Sequence, residues 1–292
     1  MRKGWMLLAI QLIVYIGLNF GCLLISTPLF LWVGGYLAGV TCAQLFAAVA
    51  ANWLTLRIYE NARLEELGLL WNRASRSNLL WGLIGGAGSA SLVLLPPLMV
   101  GAAHLAPLPA EPLSVGTILF VTFSLAVGAA GEELLFRGYG FQRLLVVLGP
   151  FATILPVGVV FALLHEANPD ASRFGIANTA GFGVLFGYAY LRSRDLWLPI
   201  GLHFGWNVTF PLFGVKLSGL SIRVTGHQML WTAGSLWSGG EYGPEASLLT
   251  TFVLALLFAY VWKVPIRRQP SRITDEPAET PQPAPPTPLP SR

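Results

Sequence analysis

The first charge-free run sets the strongest limit on this chain. Between Lys3 and Arg57 lie 53 residues without Asp, Glu, Lys or Arg. A bilayer core of about 30 Å needs about 20 helical residues, so this run predicts two membrane spans. The break between the two spans is expected near Ser26-Thr27-Pro28. Further charge-free stretches cover 77–110, 112–131, 144–165, 174–191, 196–215 and 246–262, each able to supply one crossing. The fold class expected is all-α, a polytopic membrane protein with eight transmembrane helices.

Composition supports the same class. Apolar residues make up 54% of the 292 residues and charged residues 11%, against roughly 25% charged in soluble domains. A nucleic-acid partner is excluded, because the net charge of +4 follows membrane topology. With both termini cytoplasmic, the inner side holds 15 of the 18 Lys and Arg, and the outer side holds Arg173, Lys216 and Arg223. That asymmetry satisfies the positive-inside rule, and seven spans would spoil it. Met1-Arg2-Lys3 before the first apolar run is expected to start an uncleaved anchor. Residues 1–264 are expected to form the membrane domain. Residues 265–292, with nine prolines, are expected to be a disordered cytoplasmic tail. Leu64, Leu67, Leu69, Leu70 and Trp71 suggest a short helix on the membrane surface, and 213–246 a long outer loop. Cys22 and Cys42 form no metal-ligand spacing.

Charges inside such spans cost about 2.5–3.5 kcal/mol each on insertion scales, so each needs a reason. Three clusters stand out: Glu132-Glu133-Leu134-Leu135-Phe136-Arg137, Phe161-Ala162-Leu163-Leu164-His165, and His203-Phe204-Gly205-Trp206-Asn207. Glu133 and Arg137 are four apart and share a helix face, whereas Glu132 is rotated by about 100° towards another neighbour. His203 and Asn207 are also four apart. Gly149-Pro150 marks a turn; Glu132 precedes it by 17 residues and His165 follows it by 16, so an antiparallel hairpin puts the two level. Asn178 is expected to bond between helices. His104 and His227 are expected in solvated outer segments, and Glu241 and Glu245 to be loop residues.

A carboxylate, two imidazoles and an amide form a hydrolytic set. The carboxylate can take a proton from water, alone or with a histidine, while imidazole and amide donate to an oxyanion. A His/His/Glu set can also hold zinc, although the His-Glu-x-x-His helix of zinc proteases is absent. No Gly-x-Ser-x-Gly occurs, and neither cysteine is near the polar set. A non-enzymatic membrane scaffold or immunity protein and a transporter with a midplane polar site are the rival readings.

Glu-Glu-x-x-x-Arg, Phe-x-x-x-His and His-x-x-x-Asn in that order resemble the CAAX-protease and bacteriocin-processing (CPBP, or Abi) intramembrane protease family. The eukaryotic endopeptidase that trims prenylated CAAX proteins is a member. The resemblance covers about residues 115–262. The strings Leu196–His203 and Gly239–Glu245 look like bacterial members, implying a bacterial plasma-membrane protein. It implies Glu132 as the water-activating carboxylate with His165 as partner. It further implies His203 and Asn207 as the pair completing the site, and Glu133 and Arg137 as supporting residues. The implied substrate is a membrane-embedded or lipid-modified, CAAX-like peptide, expected to enter from the inner side. No cofactor is expected; were a divalent metal such as zinc to bind, Glu132, His165 and His203 would be its ligands.

Overall fold

The computed structural model describes residues 2–108 and 114–275. The first charge-free run forms α1 (Arg2–Thr55), and its break lies at Gly35 rather than at Ser26-Thr27-Pro28. Gly35 has φ 66° and ψ −168°, a region essentially closed to any residue with a Cβ. There the chain reverses. The Phe30 and Phe46 rings lie 6.0 Å apart, and the Asn52 amide donates to the Tyr15 hydroxyl at 3.2 Å. Pro28 stays inside the first arm. A proline removes one backbone donor and can be tolerated in a helix; it does not reverse one.

Next come α2 (Arg73–Met99), α3 (Val115–Arg137), α4 (Tyr139–Leu148), α5 (Pro150–Leu164), α6 (Arg173–Ser193) and α7 (Trp197–Leu212). The last long helix is α9 (Leu248–Lys263), after the short α8 (Ser235–Ser238). Among the described residues, five helical segments are long and apolar enough to cross a membrane; the first contains both arms of α1. The chain is therefore an integral membrane protein. Shorter apolar helices such as α9 accompany these segments.

The all-α expectation needs one amendment. Strands β1 (Ala103–Pro107) and β2 (His227–Trp231) pair antiparallel, Ala103 opposite Trp231 and Pro107 opposite His227. The segment after α2 and the long segment after α7 thus meet as a small sheet, with His104 and His227 exposed on it.

Glycines set how closely the helices approach. Gly82 and Gly86 of α2 face Gly201 and Gly205 of α7, a small-residue seam of the kind that lets membrane helices touch backbone to backbone. A Cβ on Gly86 would sit 2.1 Å from the Leu202 carbonyl, and one on Gly205 2.7 Å from that of Leu83. Gly158 of α5 and Gly183 of α6 meet in the same way, a Cβ on Gly183 falling 2.7 Å from the Gly158 Cα.

The leg before Gly149 is not one helix. The chain breaks at Gly138 (ψ −146°), where a Cβ would lie 2.2 Å from the Leu134 carbonyl and 2.3 Å from Asn52 Oδ1. Side chains serve the α3 carbonyls left open there. Tyr15 donates to Leu134 and Leu135, Asn52 to Leu134, and Gln142 to Arg137. The Asn52 carbonyl also accepts from the Tyr139 N–H at 2.7 Å, so one buried amide joins the end of α3 to the start of α4.

The segments 56–78, 137–149, 192–198 and 263–275 gather at one end of the molecule. Leu196 N–H donates to Gly68 O, and Asp195 accepts from Asn78 at 2.7 Å and Gln269 at 2.8 Å. Arg272 pairs with Glu66 at 3.0 Å. Leu64–Leu67 forms a short 3-10 helix whose Leu67 is buried in the protein, while Leu70 and Trp71 stay exposed. The chain beyond residue 264 also stays packed, with Gln269, Ser271 and Ile273 buried, because Asp195 and Asn78 supply polar partners for it. The rest of the expected tail, 276–292, lies outside the described residues.

Candidate active site

The charged motif on α3 splits into two roles. Glu133 and Arg137 are fully buried and pair at 3.2 Å. Arg137 also donates to the Gly183 carbonyl at 2.6 Å, and its guanidinium lies 5.2–5.7 Å from the ring centroids of Phe136, Phe161 and Phe186. A buried cation is tolerable only with such partners: a carboxylate, a carbonyl and aromatic faces. Glu133 has a second contact that helix spacing alone does not reveal, a bond of 2.9 Å with His203 Nδ1.

His203 is thereby oriented. A carboxylate accepts, so Nδ1–H of His203 donates, leaving Nε2 for the other side of the ring. Nε2 lies 3.7 Å from Glu132 Oε2. The ring stacks on Phe186, centroids 4.9 Å apart and planes at 15°, and meets Phe161 edge to face at 6.1 Å. α7 carries His203 into place. The Asp195 carboxylate accepts from the Leu198 N–H in its first turn, and the glycine seam presses it against α2.

His165 ends α5. Its Nδ1 bonds the Phe161 carbonyl at 2.8 Å; a carbonyl only accepts, so Nδ1 carries the proton and Nε2 of the neutral ring is the basic nitrogen. The Phe136 and Phe161 rings touch at 5.1 Å. Glu132 and His165 each lie one helical turn beyond those phenylalanines in the same direction, so they are level despite the break at Gly138.

Glu132, His165, His203 and Asn207 line one cavity of about 380 Å³. Glu132 is 23% exposed in its side chain, but its Oε2 is shielded and has no hydrogen-bond partner among the described residues. Asn207 lies one turn beyond His203 on α7 and makes no side-chain hydrogen bond to the described residues. Phe136, Phe161 and Phe186 form the cavity floor, in front of Arg137. The walls rise along the second arm of α1 (Gln44, Thr41, Leu37, Tyr36) and along α3 from Glu132 to Leu125. Asn168, Ser218, Leu220 and Ile222, from the chain after α5 and after α7, complete the lining.

Among the described residues, no three His, Cys, Asp or Glu side chains gather as a metal-ligand set. The Nδ1 atoms of His165 and His203 are each engaged by an oxygen, which leaves Nε2 of each ring to face the cavity chemistry.

Glu245 is the residue that sequence reasoning undervalued. It is buried, lines the cavity and accepts from Trp206 Nε1 at 2.9 Å, from Ser218 Oγ at 2.8 Å and from the Ser218 N–H. Its one signal in the sequence was an acidic residue directly before the apolar run 246–262. Glu241 instead stays exposed beside Lys216. Asn178 bonds Glu245 O, Ser247 O and Thr251, tying α6 to the start of α9.

A family profile described as type II CAAX prenyl endopeptidase Rce1-like matches residues 114–209. That interval contains Glu132, Glu133, Arg137, His165, His203 and Asn207. No curated protein and no solved structure matches the chain.

Proposed function

Because residues 114–209 carry the domain of the type II CAAX prenyl endopeptidase Rce1-like family, we propose that this protein is an intramembrane endopeptidase. It hydrolyses a peptide bond of a membrane-embedded or lipid-modified substrate with a water activated by Glu132 and His165. The observation carrying this reading is Glu132 Oε2, which has no hydrogen-bond partner among the described residues and lies 3.7 Å from His203 Nε2 on a cavity that Asn207 also lines. Glu132 takes one proton from water as its oxygen attacks the carbonyl carbon. The His165 Nε2 lone pair orients that water. The Asn207 amide donates to the oxyanion, joined by Nε2–H of a protonated His203 whose Nδ1–H is held by Glu133. The C–N bond then breaks, Glu132 returns its proton to the leaving nitrogen, and a carboxylic acid and an amine result. No step needs a metal, and purified protein treated with a chelator should keep its turnover. Loss of activity restored by zinc would overturn that point.

We also propose eight membrane crossings: the two arms of α1, then α2, α3, α5, α6, α7 and α9, with both termini in the cytoplasm. The support is the segregation of Lys and Arg.

The test of the chemistry is kinetic. Glu132→Gln keeps size and hydrogen bonding but removes the base, so it should abolish turnover with folding intact. Asn207→Ala should cost on the order of 10²–10³ in turnover, as for other oxyanion donors. Membrane peptides of cells making wild-type and Glu132→Gln protein would be compared by mass spectrometry. Full activity of Glu132→Gln would remove the catalytic assignment.

A further inference from the structure

Part of the cavity lining is a turn that cannot stand by itself. Leu217 and Leu220 exchange two backbone hydrogen bonds, at 2.9 and 2.8 Å, across Ser218-Gly219. Ser218 has φ 47° and Gly219 φ 81°, the two positive angles of a type I′ turn. Glycine adopts such a φ freely; serine holds it only where its surroundings impose it. One bridged pair of residues is also too little sheet to persist alone. Leu217, Ser218, Leu220 and Ile222 nevertheless line the cavity together with His203 and Asn207.

Glu245 supplies what the turn lacks. One oxygen of its buried carboxylate accepts from the Ser218 N–H and, at 2.8 Å, from the Ser218 hydroxyl. The other accepts from Trp206 Nε1–H at 2.9 Å. Trp206 stands on α7 between His203 and Asn207 and lines the same cavity. A single carboxylate thus joins the turn to the helix that carries the proposed oxyanion donors. Its own segment is fixed separately. Asn178 donates to the Glu245 carbonyl at 2.8 Å, and the Tyr242 carbonyl accepts from the Gly219 N–H at 2.9 Å. Glu245 lies beyond the matched interval 114–209, and with both oxygens occupied it has no part in the proton transfers from water.

We propose that Glu245 is a positioning residue. It holds the Leu217–Leu220 turn against α7, so that Leu217, Leu220, Ile222 and Trp206 present an apolar wall to the substrate chain. This inference rests on the endopeptidase reading and adds to it the residue that sets substrate binding and the apolar class of side chain bound beside the cut. Glutamine is no substitute at 245. An amide has one acceptor oxygen, so its NH₂ must meet either the Trp206 N–H or the Ser218 N–H, donor against donor.

The test uses purified full-length protein and synthetic peptides spanning the cuts lost in Glu132→Gln cells. Glu245→Gln should raise KM about tenfold, the factor one hydrogen bond is worth, and keep kcat. Loss of folded protein would instead lower turnover and leave KM alone. Adding Trp206→Phe removes one of the opposed donors and lets the amide oxygen turn to Ser218. The double variant should therefore return to the KM of Trp206→Phe alone. Leu220→Ala leaves Glu245 and its donors in place and carries the test if Glu245→Gln does not fold. It should raise KM more for peptides with a large apolar residue beside the cut than for peptides with alanine there. Wild-type KM in Glu245→Gln, a double variant no better than Glu245→Gln, or equal effects of Leu220→Ala on both peptides overturns the proposal and leaves the endopeptidase reading standing. If no cut is lost in Glu132→Gln cells, that reading falls and the inference with it.

Discussion

At the residue scale, adjacent glutamates with the same side chain occupy opposite situations. Glu132 faces a cavity, while Glu133 is sealed between Arg137 and His203. Helix spacing anticipates the pair with Arg137; the bond to His203 comes from a helix 70 residues away. Glu133→Gln should therefore do two things. It leaves Arg137 as an uncompensated buried cation, costing about 3–5 kcal/mol. It also removes the acceptor that orients His203 Nδ1–H. Thermal unfolding in detergent should show a lowered midpoint, and adding Arg137→Met should recover part of it by removing the stranded charge. An unchanged midpoint in the single variant would mean that the pair contributes nothing to stability.

At the element scale, glycine decides how closely α7 approaches its neighbour, and so where His203 and Asn207 stand. Gly86→Ala puts a methyl 2.1 Å from the Leu202 carbonyl, a backbone atom that cannot step aside as a side chain could. α7 must shift. A displacement of 1 Å can cost about 10²-fold in rate, so turnover should fall by about that factor. Gly88→Ala on the same helix is the control, because an added Cβ there meets nothing within 4 Å. It should keep full turnover and gain about 1 kcal/mol of helix propensity. Equal activity in the two variants would detach the seam from the site. The break at Gly138 is a second device of this kind, since Asn52 holds α3 and α4 together across it.

At the scale of the whole molecule, two ends can be told apart by their charges. Reporter fusions placed after Gly149 and after Arg194 should report a cytoplasmic location, and fusions within 213–246 a non-cytoplasmic one. An outside signal at residue 194 would end the eight-crossing topology. The packed segment 264–275 belongs to the same picture. Arg272 on Glu66 and Gln269 on Asp195 tie the end of the described chain to the basic face.

Membrane embedding, the segregation of basic residues and the three polar motifs were all legible in the sequence. Each is a local property of the chain: an apolar run long enough to cross, a charge beside it, a costly polar group within it. Proline and glycine were legible as residues but not in effect. Pro28 lies within a helix while Gly35 and Gly138 break the chain, Gly35 through a backbone conformation closed to residues with a Cβ and Gly138 where Tyr15, Asn52 and Gln142 capture the freed backbone groups. The Gly82/Gly86 and Gly201/Gly205 pairs could be read from spacing, yet only packing shows that they face one another. Glu245 looked like a loop residue because nothing near it in sequence reveals Trp206 and Ser218 as partners. The setting of Arg137 was likewise decided by tertiary structure alone: three phenylalanines from three helices surround the one buried arginine, and no single segment encodes that meeting.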